Sequence, residues 1–311
     1  VTGVQTCALP IYGAFPLDAT DAPVFQVALA TSDTNAWQTA ERGLSPTDLA
    51  MHVVLPEVDG RLFAGVASFK EAGTADADLQ FTRLAHTPHP DRIRAIVDHV
   101  CGWVALAKIP NCDKRPVLVL STYPGKPWQM AHAVGLDALA SSDAILSDLA
   151  QDGYAIDIAG PLADALETDR LEWSLEAYRV ALKTLPQELQ DALTAAWGDP
   201  QDDPDFVEGH FQFVATRRGN ALVALQPERG MLETRDEEYH DLARTPRHAY
   251  VAFYLWLRHA HRAHALVHVG AHGTLEWLPG KSVALSDACW PEALTAALPV
   301  IYPFIVNDPG E

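Results

Sequence analysis

Val117-Leu118-Val119-Leu120, followed by Ser121-Thr122 and then by Tyr123-Pro124-Gly125-Lys126-Pro127, is the stretch on which the fold turns. An uninterrupted apolar run of this length predicts a strand buried on both faces, the situation of a strand inside a parallel sheet. The Pro/Gly-rich loop closes it. A helix is expected from about Ser142 to Asp152, with Ile145, Leu146 and Leu149 on one face and Gly153 as its stop. Strand, loop and helix in this order predict an α/β domain with a parallel sheet.

Working outward, Asp48 to Leu55 (DLAMHVVL) reads as a strand ended by Pro56 and a turn at Asp59-Gly60, and Arg61–Phe69 as a second extended segment. Pro90 and Asp91 open a helix whose apolar residues, among them Ile93, Ile96, Val97 and Val100, follow helical spacing. Leu162 to Trp197 is helical in pattern, with a new start at Thr184–Gln187 and a stop at Gly198. Asp199–Glu208 is acidic and punctuated by proline, as a surface linker would be. Asn220–Leu225 and Ala265–Val269 read as strands, and Arg247–Ala260 as a helix rich in Tyr, Phe and Trp. The expected organisation is an α/β domain over residues 12–160, a helical segment with the acidic linker over 161–209, and a second α/β segment over 210–311.

The chain has 311 residues and a net charge of −19, a balance that argues against general binding of a polyanion such as nucleic acid. No window is apolar for long enough to form a membrane helix. Val1–Ile11 (VTGVQTCALPI) matches the in-frame translation of a common sequencing adapter and is set aside from the fold. The remaining cysteines, Cys101, Cys112 and Cys289, form no C-x-x-C pair, which suits a reducing cytoplasm better than a disulfide framework. The ending Asn307–Glu311 reads as a turn that leads onward.

The chemistry is concentrated in Val267–Lys281 (VHVGAHGTLEWLPGK). His268 is expected near the carboxyl end of a strand, where ligand crevices open in α/β sheets. His268, His272 and Glu276 recur at a spacing of four, which would stack them on one face of a helix; in a glycine-containing loop they can also converge. Two imidazoles and a carboxylate suit transient handling of a divalent ion or acceptance of protons, and equally suit hydrogen-bonded core positions. Pro279-Gly280-Lys281-Ser282 is not the end of a P-loop, because Leu275 stands where the motif needs glycine. The turns Pro56–Arg61 and Gln226–Gly230, and the lone Lys126 in its loop, are by themselves ordinary turns.

Taken together, LPEVDGR at Leu55–Arg61, SFK at Ser68–Lys70, STYPGK at Ser121–Lys126, AVGLD at Ala133–Asp137, ALQPERG at Ala224–Gly230, HGTLEWLPGKS at His272–Ser282 and IYPFIVNDPGE at Ile301–Glu311 resemble the family of cobaltochelatase large subunits and magnesium-chelatase H subunits. The resemblance runs from about Asp48 to Glu311, with Ala271 departing from the expected Thr or Lys. It implies parallel-sheet α/β domains with helical insertions inside a larger multidomain, cytoplasmic chelatase subunit. That subunit would enclose a tetrapyrrole, with an AAA+ ATPase motor on partner subunits using ATP and magnesium. Cobalt(II) would be the substrate metal and hydrogenobyrinic acid a,c-diamide the ring. The resemblance assigns His268 and His272 to proton acceptance or transient metal binding, with Glu276 and Glu57 as carboxylate partners. Lys281, Arg61, Lys70 and Arg229 would pair with ring carboxylates. A magnesium chelatase acting on protoporphyrin, a non-catalytic tetrapyrrole carrier and a metal-dependent hydrolase are the alternative readings; the absence of H-E-x-x-H counts against the last.

Overall fold

The computed structural model describes residues 22–121, 132–133, 136–230, 241–270 and 275–303, packed as two units. The first runs to Cys101 and takes in Gly280–Ser286; the second holds Gly102–Pro279 and the chain from Asp287 onward. The division falls inside helix α4 (Pro90–Lys108), which begins at the expected proline.

In the first unit β1 (Phe25–Leu29) runs parallel to β2 (Leu62–Asp76), and β3 (Phe81–Pro88) returns antiparallel along β2. The extended reading of Arg61–Phe69 corresponds to the start of β2. Between β1 and β2 lie α1 (Thr34–Thr39), capped by Asp33, and a helical stretch where a strand was expected. Ser45 caps α2 (Pro46–Leu49) through a 3.1 Å bond from the Asp48 amide, with Pro46 at the first helical position. A π turn over Ala50–Val54 then leads into α3 (Leu55–Val58). A short apolar run fits either period. The tertiary contact of Asp48 decides it: its buried carboxylate accepts from Thr31 N at 2.9 Å and Thr31 Oγ1 at 2.8 Å, tying the helix to the chain after β1. Val53 and Pro56 then turn inward, while Met51, Val54, Leu55 and Val58 stay exposed. Gly43 has φ +87°, and a Cβ there would stand 2.0 Å from the Val283 carbonyl oxygen, so only glycine lets the Gly280–Ser286 segment pass.

The second unit is built on one sheet ordered β12 (Val300–Ile301), β11 (Ala265–Val269), β4 (Pro116–Leu120), β10 (Ala221–Leu225), β9 (His210–Arg218) and β7 (Arg170–Ser174), with β8 (Phe206–Val207) beside β9. The first four strands are parallel; β9 and β7 extend the sheet antiparallel. Two short strands, β5 (His132–Ala133) and β6 (Leu136–Asp137), pair apart from it. Side chains alternate across the sheet. Leu118, Leu120, Ala221 and Val223 meet α5 (Ala138–Gln151) and α6 (Leu162–Thr168). Val117, Val119, Leu222 and Ala224 meet the layer of α7 (Leu175–Leu182), α8 (Gln187–Trp197), α9 (His248–Trp256) and α10 (Trp290–Thr295). Every residue of α9 is buried, the position in which a helix apolar all round is stable.

The expected boundaries at 160 and 209 do not match this packing. Arg170–Ser174 is a strand rather than part of a helix, and it and Phe206–Val207 pair with β9, in the same sheet as Ala221–Leu225. Nor is Asp199–Glu208 a linker. Asp203 is buried, pairs with Arg247 at 2.6 Å and accepts from the Ala249 amide at 2.9 Å, holding the start of α9.

Candidate functional site

Three parallel strands end side by side in the order β11, β4, β10. Val119 is paired with His268 on one side and with Ala224 on the other, so the three side chains share the α9 face of the sheet. The ladder continues one step further, through Gln226 N to Leu120 O at 3.0 Å and Ser121 N to Val269 O at 3.2 Å. By alternation, Ser121 and Gln226 stand on that same face just past the strand ends. All three polar residues are buried, and Ser121 Oγ, Gln226 Oε1 and both ring nitrogens of His268 have no hydrogen-bond partner among the described residues.

Such groups are rare in native interiors, because an unpaired buried polar atom costs about 1–3 kcal/mol. Four such atoms at the ends of three neighbouring strands offer hydrogen-bonding capacity that a ligand can take up. The rest of the wall supports them. Gln226 Nε2 lies 2.6 Å from the Tyr254 hydroxyl and 3.1 Å from that of Tyr250, both on α9. Burial drives the Tyr254 hydroxyl well above its ordinary range, with the charge of Glu276 adding to the effect. Burial alone pushes His268 down to about 4, so its imidazole is neutral at physiological pH. Tyr302, just past β12, tilts against the His268 ring with centroids 5.7 Å apart.

Glu276 is exposed on a single 3-10 turn, Leu275–Trp277, whose last carbonyl accepts from Arg229 Nη1. His268 lies in β11, so His268 and Glu276 share no helix face; the helical alternative is ruled out by the strand. His272, Tyr123–Pro127 and Asp308–Glu311 lie outside the described residues. Arg229 is buried, and its guanidinium positions the turn that carries Glu276. The other expected residues belong to the first unit. Glu57 sits exposed in α3 with its carboxyl raised by partial desolvation. Arg61 donates to Gln26 Oε1 at 3.2 Å, Lys70 lies on β2 opposite His86, and the Lys281 ammonium donates to the carbonyls of Gln38 and Ala40. Among the described residues no three His, Cys, Asp or Glu side chains assemble as metal ligands.

Ser121, Gln226, Tyr250 and Tyr254 were not singled out from the sequence. The available signal was position: Ser121 and Gln226 each follow directly on an apolar strand, in motifs from which Arg229 alone was taken as a site residue.

The model of the CobN/magnesium chelatase family matches residues 5–311. The chain belongs to that family. The match begins at Gln5, inside the stretch read as adapter-derived, and residues 1–21 lie outside those described. An aerobic cobaltochelatase subunit CobN from Sinorhizobium sp is 40% identical, over 95% of this chain and 24% of its own length. The magnesium-chelatase H subunit from Rhodobacter capsulatus is 28% identical, over 95% of this chain and 26% of its own. Among solved structures, the catalytic subunit of cobaltochelatase from Mycobacterium tuberculosis superposes with a TM-score of 0.80 at 36% identity, covering 94% of this chain and 26% of that one. The chain thus spans about a quarter of the length of the relatives it matches. No helix among the described residues is long and apolar enough to cross a membrane.

Proposed function

We propose that this chain is the part of a cobaltochelatase large subunit that meets the metal-accepting centre of its tetrapyrrole, hydrogenobyrinic acid a,c-diamide, in cobalamin biosynthesis. The observation that carries the reading is the row of buried atoms without a hydrogen-bond partner among the described residues, Ser121 Oγ, Gln226 Oε1 and the ring nitrogens of His268, at the carboxyl ends of three neighbouring parallel strands. The identity of 40% to a cobaltochelatase subunit against 28% to a magnesium-chelatase subunit favours cobalt as the metal. Imidazole ligands favour it too, since magnesium prefers oxygen and keeps its waters.

Insertion requires two ring N–H protons to leave, the metal to shed water and the ring to be held. A histidine held near 4 is a poor general base at neutral pH, where an acceptor tuned near 7 works best. Its neutral ring, however, keeps one nitrogen lone pair unprotonated and therefore open to a metal. The burial that excludes a proton also penalises a bare dication. His268 would meet cobalt most easily once the ring's two deprotonated nitrogens balance the metal's charge. Glu276, exposed beside this wall, is the proton acceptor in this reading, with His272 assisting. Arg229 and Lys281 are engaged with backbone carbonyls, which makes them scaffold cations in this reading rather than partners of the ring carboxylates. ATP would be hydrolysed by AAA+ partner subunits in the cytoplasm, consistent with a sequence that has no P-loop.

The test is a pair of assays on the complete subunit with its motor partners and ATP. Cobalt should enter hydrogenobyrinic acid a,c-diamide, and magnesium should not enter protoporphyrin. Magnesium insertion without cobalt insertion would overturn the proposal.

A further inference from the structure

The opposite, amino-terminal edge of the same sheet carries a second constellation, and it is cationic. Arg115 immediately precedes β4 and His264 immediately precedes β11. Arg217, on antiparallel β9, is level with Leu222 and hence with Val117, at the same edge. His261 closes the π turn after α9, and Arg262 follows it in the left-handed conformation. In a chain of net charge −19, five cationic or ionisable basic groups from four elements meet here. Among the described residues, no carboxylate lies within ion-pair distance of Arg115, Arg217 or Arg262.

The hydrogen bonding is one-sided as well. The Arg115 amide donates to His264 Nδ1 at 3.1 Å, so a neutral His264 carries its proton on Nε2. That Nε2 faces Arg115 Nη2 at 2.8 Å, which sets one donor against another. Arg217 Nη1 faces His261 Nδ1 at 3.4 Å, so His261 also carries its proton on Nε2, buried and without a partner among the described residues. Besides His261 Nδ1, the acceptor these side chains meet among the described residues is the Arg262 carbonyl, taken by Arg115 Nε at 2.9 Å. His261 is depressed to about 4 by burial first and then by Arg217, Arg115 and His264, so the four groups share one local field. The negative end of α9 favours a cation beside it, but it does not call for Arg115 and Arg217, which come from other elements.

We propose that this edge is a binding site for an oxyanion of the phosphate type, held by Arg115, Arg217 and the Nε2–H groups of His261 and His264. A phosphate has enough lone pairs to separate the opposed donors and to neutralise the uncompensated guanidinium charge. The site is distinct from the wall at His268, which stands at the other end of the strands.

The test is imidazole NMR on the 311-residue chain, titrated separately with inorganic phosphate and with ADP. Saturable shifts of His261 and His264 towards the imidazolium position are expected, with His268 unmoved. Equal affinity for the two probes would identify the free ion as the ligand; tighter ADP binding would identify a nucleotide's terminal phosphate. Arg217→Gln, at an exposed position, should weaken binding about tenfold or more, and Arg217→Lys should retain most of it. No saturation by about 10 mM of either probe, or an unchanged response in folded Arg217→Gln, would overturn the proposal.

Discussion

The Lys281 ammonium stands 5.4 Å above the centroid of the Trp37 ring and donates 2.9 Å bonds to the carbonyls of Gln38 and Ala40 at the end of α1. Trp37 in turn donates from Nε1 to the Ala284 carbonyl at 2.9 Å, so the Gly280–Ser286 segment and α1 clasp each other from both sides. A cation over an aromatic face with two carbonyl acceptors is a structural joint. Lys281→Met should lower the stability of the first unit by about 1–3 kcal/mol. Thermal unfolding would read this, and tetrapyrrole affinity measured by fluorescence quenching should change little. A large loss of affinity at unchanged stability would return Lys281 to the ligand.

Asp203 and Arg247 form the second joint. The pair is buried, and Asp203 also receives the Ala249 amide. Arg247 also pairs with Asp205, so removing Asp203 leaves the guanidinium one carboxylate partner and orphans the Ala249 amide; Asp203→Ala should destabilise the second unit by about 1–3 kcal/mol in urea unfolding. A loss below about 1 kcal/mol would show that water reaches Arg247 freely.

The part of this architecture that the sequence discloses is the part fixed by local pattern. Val117–Leu120 and Ala265–Val269 are legible as buried strands because no polar residue interrupts them at a core-facing position, apart from His268 itself. Asp48–Leu55 misleads because its apolar run is too short to show a period, and the carboxylate of Asp48 finds its partner, Thr31, outside any local window. Arg170–Ser174 is hidden between two helices and becomes a strand through its pairing with β9. The site divides in the same way. His268 stands out as an imidazole in an apolar run, whereas Gln226 gains its meaning only from the two tyrosines that α9 brings to it.

Acid should loosen the second unit through its buried histidines. His268 and His261 both sit near 4 in the folded protein against 6.5 in the unfolded chain. The unfolded state therefore binds more protons between these values, and stability rises with pH across that window. It is fully present above pH about 6.5 and is lost as the pH falls towards 4, by roughly 3 kcal/mol for a fully buried histidine. Urea midpoints measured from pH 7 to pH 4.5 should decline, and His268→Gln should flatten the decline. An unchanged slope in that variant would mean that His268 is accessible to solvent protons.

The final prediction separates the two roles open to His268. In the complete subunit, His268→Gln keeps a neutral polar side chain but removes the imidazole, and Glu276→Gln removes a carboxylate while keeping its shape. If His268 is a transient ligand, its loss should raise the cobalt concentration needed for half-maximal rate and leave the pH profile without a new bend, since a group near 4 does not titrate in the working range. If Glu276 is the proton acceptor, its loss should lower the maximal rate by ~10²–10⁴-fold with little change in the cobalt requirement. Ring affinity should stay within a few-fold in both, because neither change removes a cation that pairs with ring carboxylates. A His268→Gln subunit with unaltered cobalt dependence and rate would make His268 a scaffold residue. Ser121 Oγ and Gln226 Oε1, without partners among the described residues, would then be the groups left to receive the ligand.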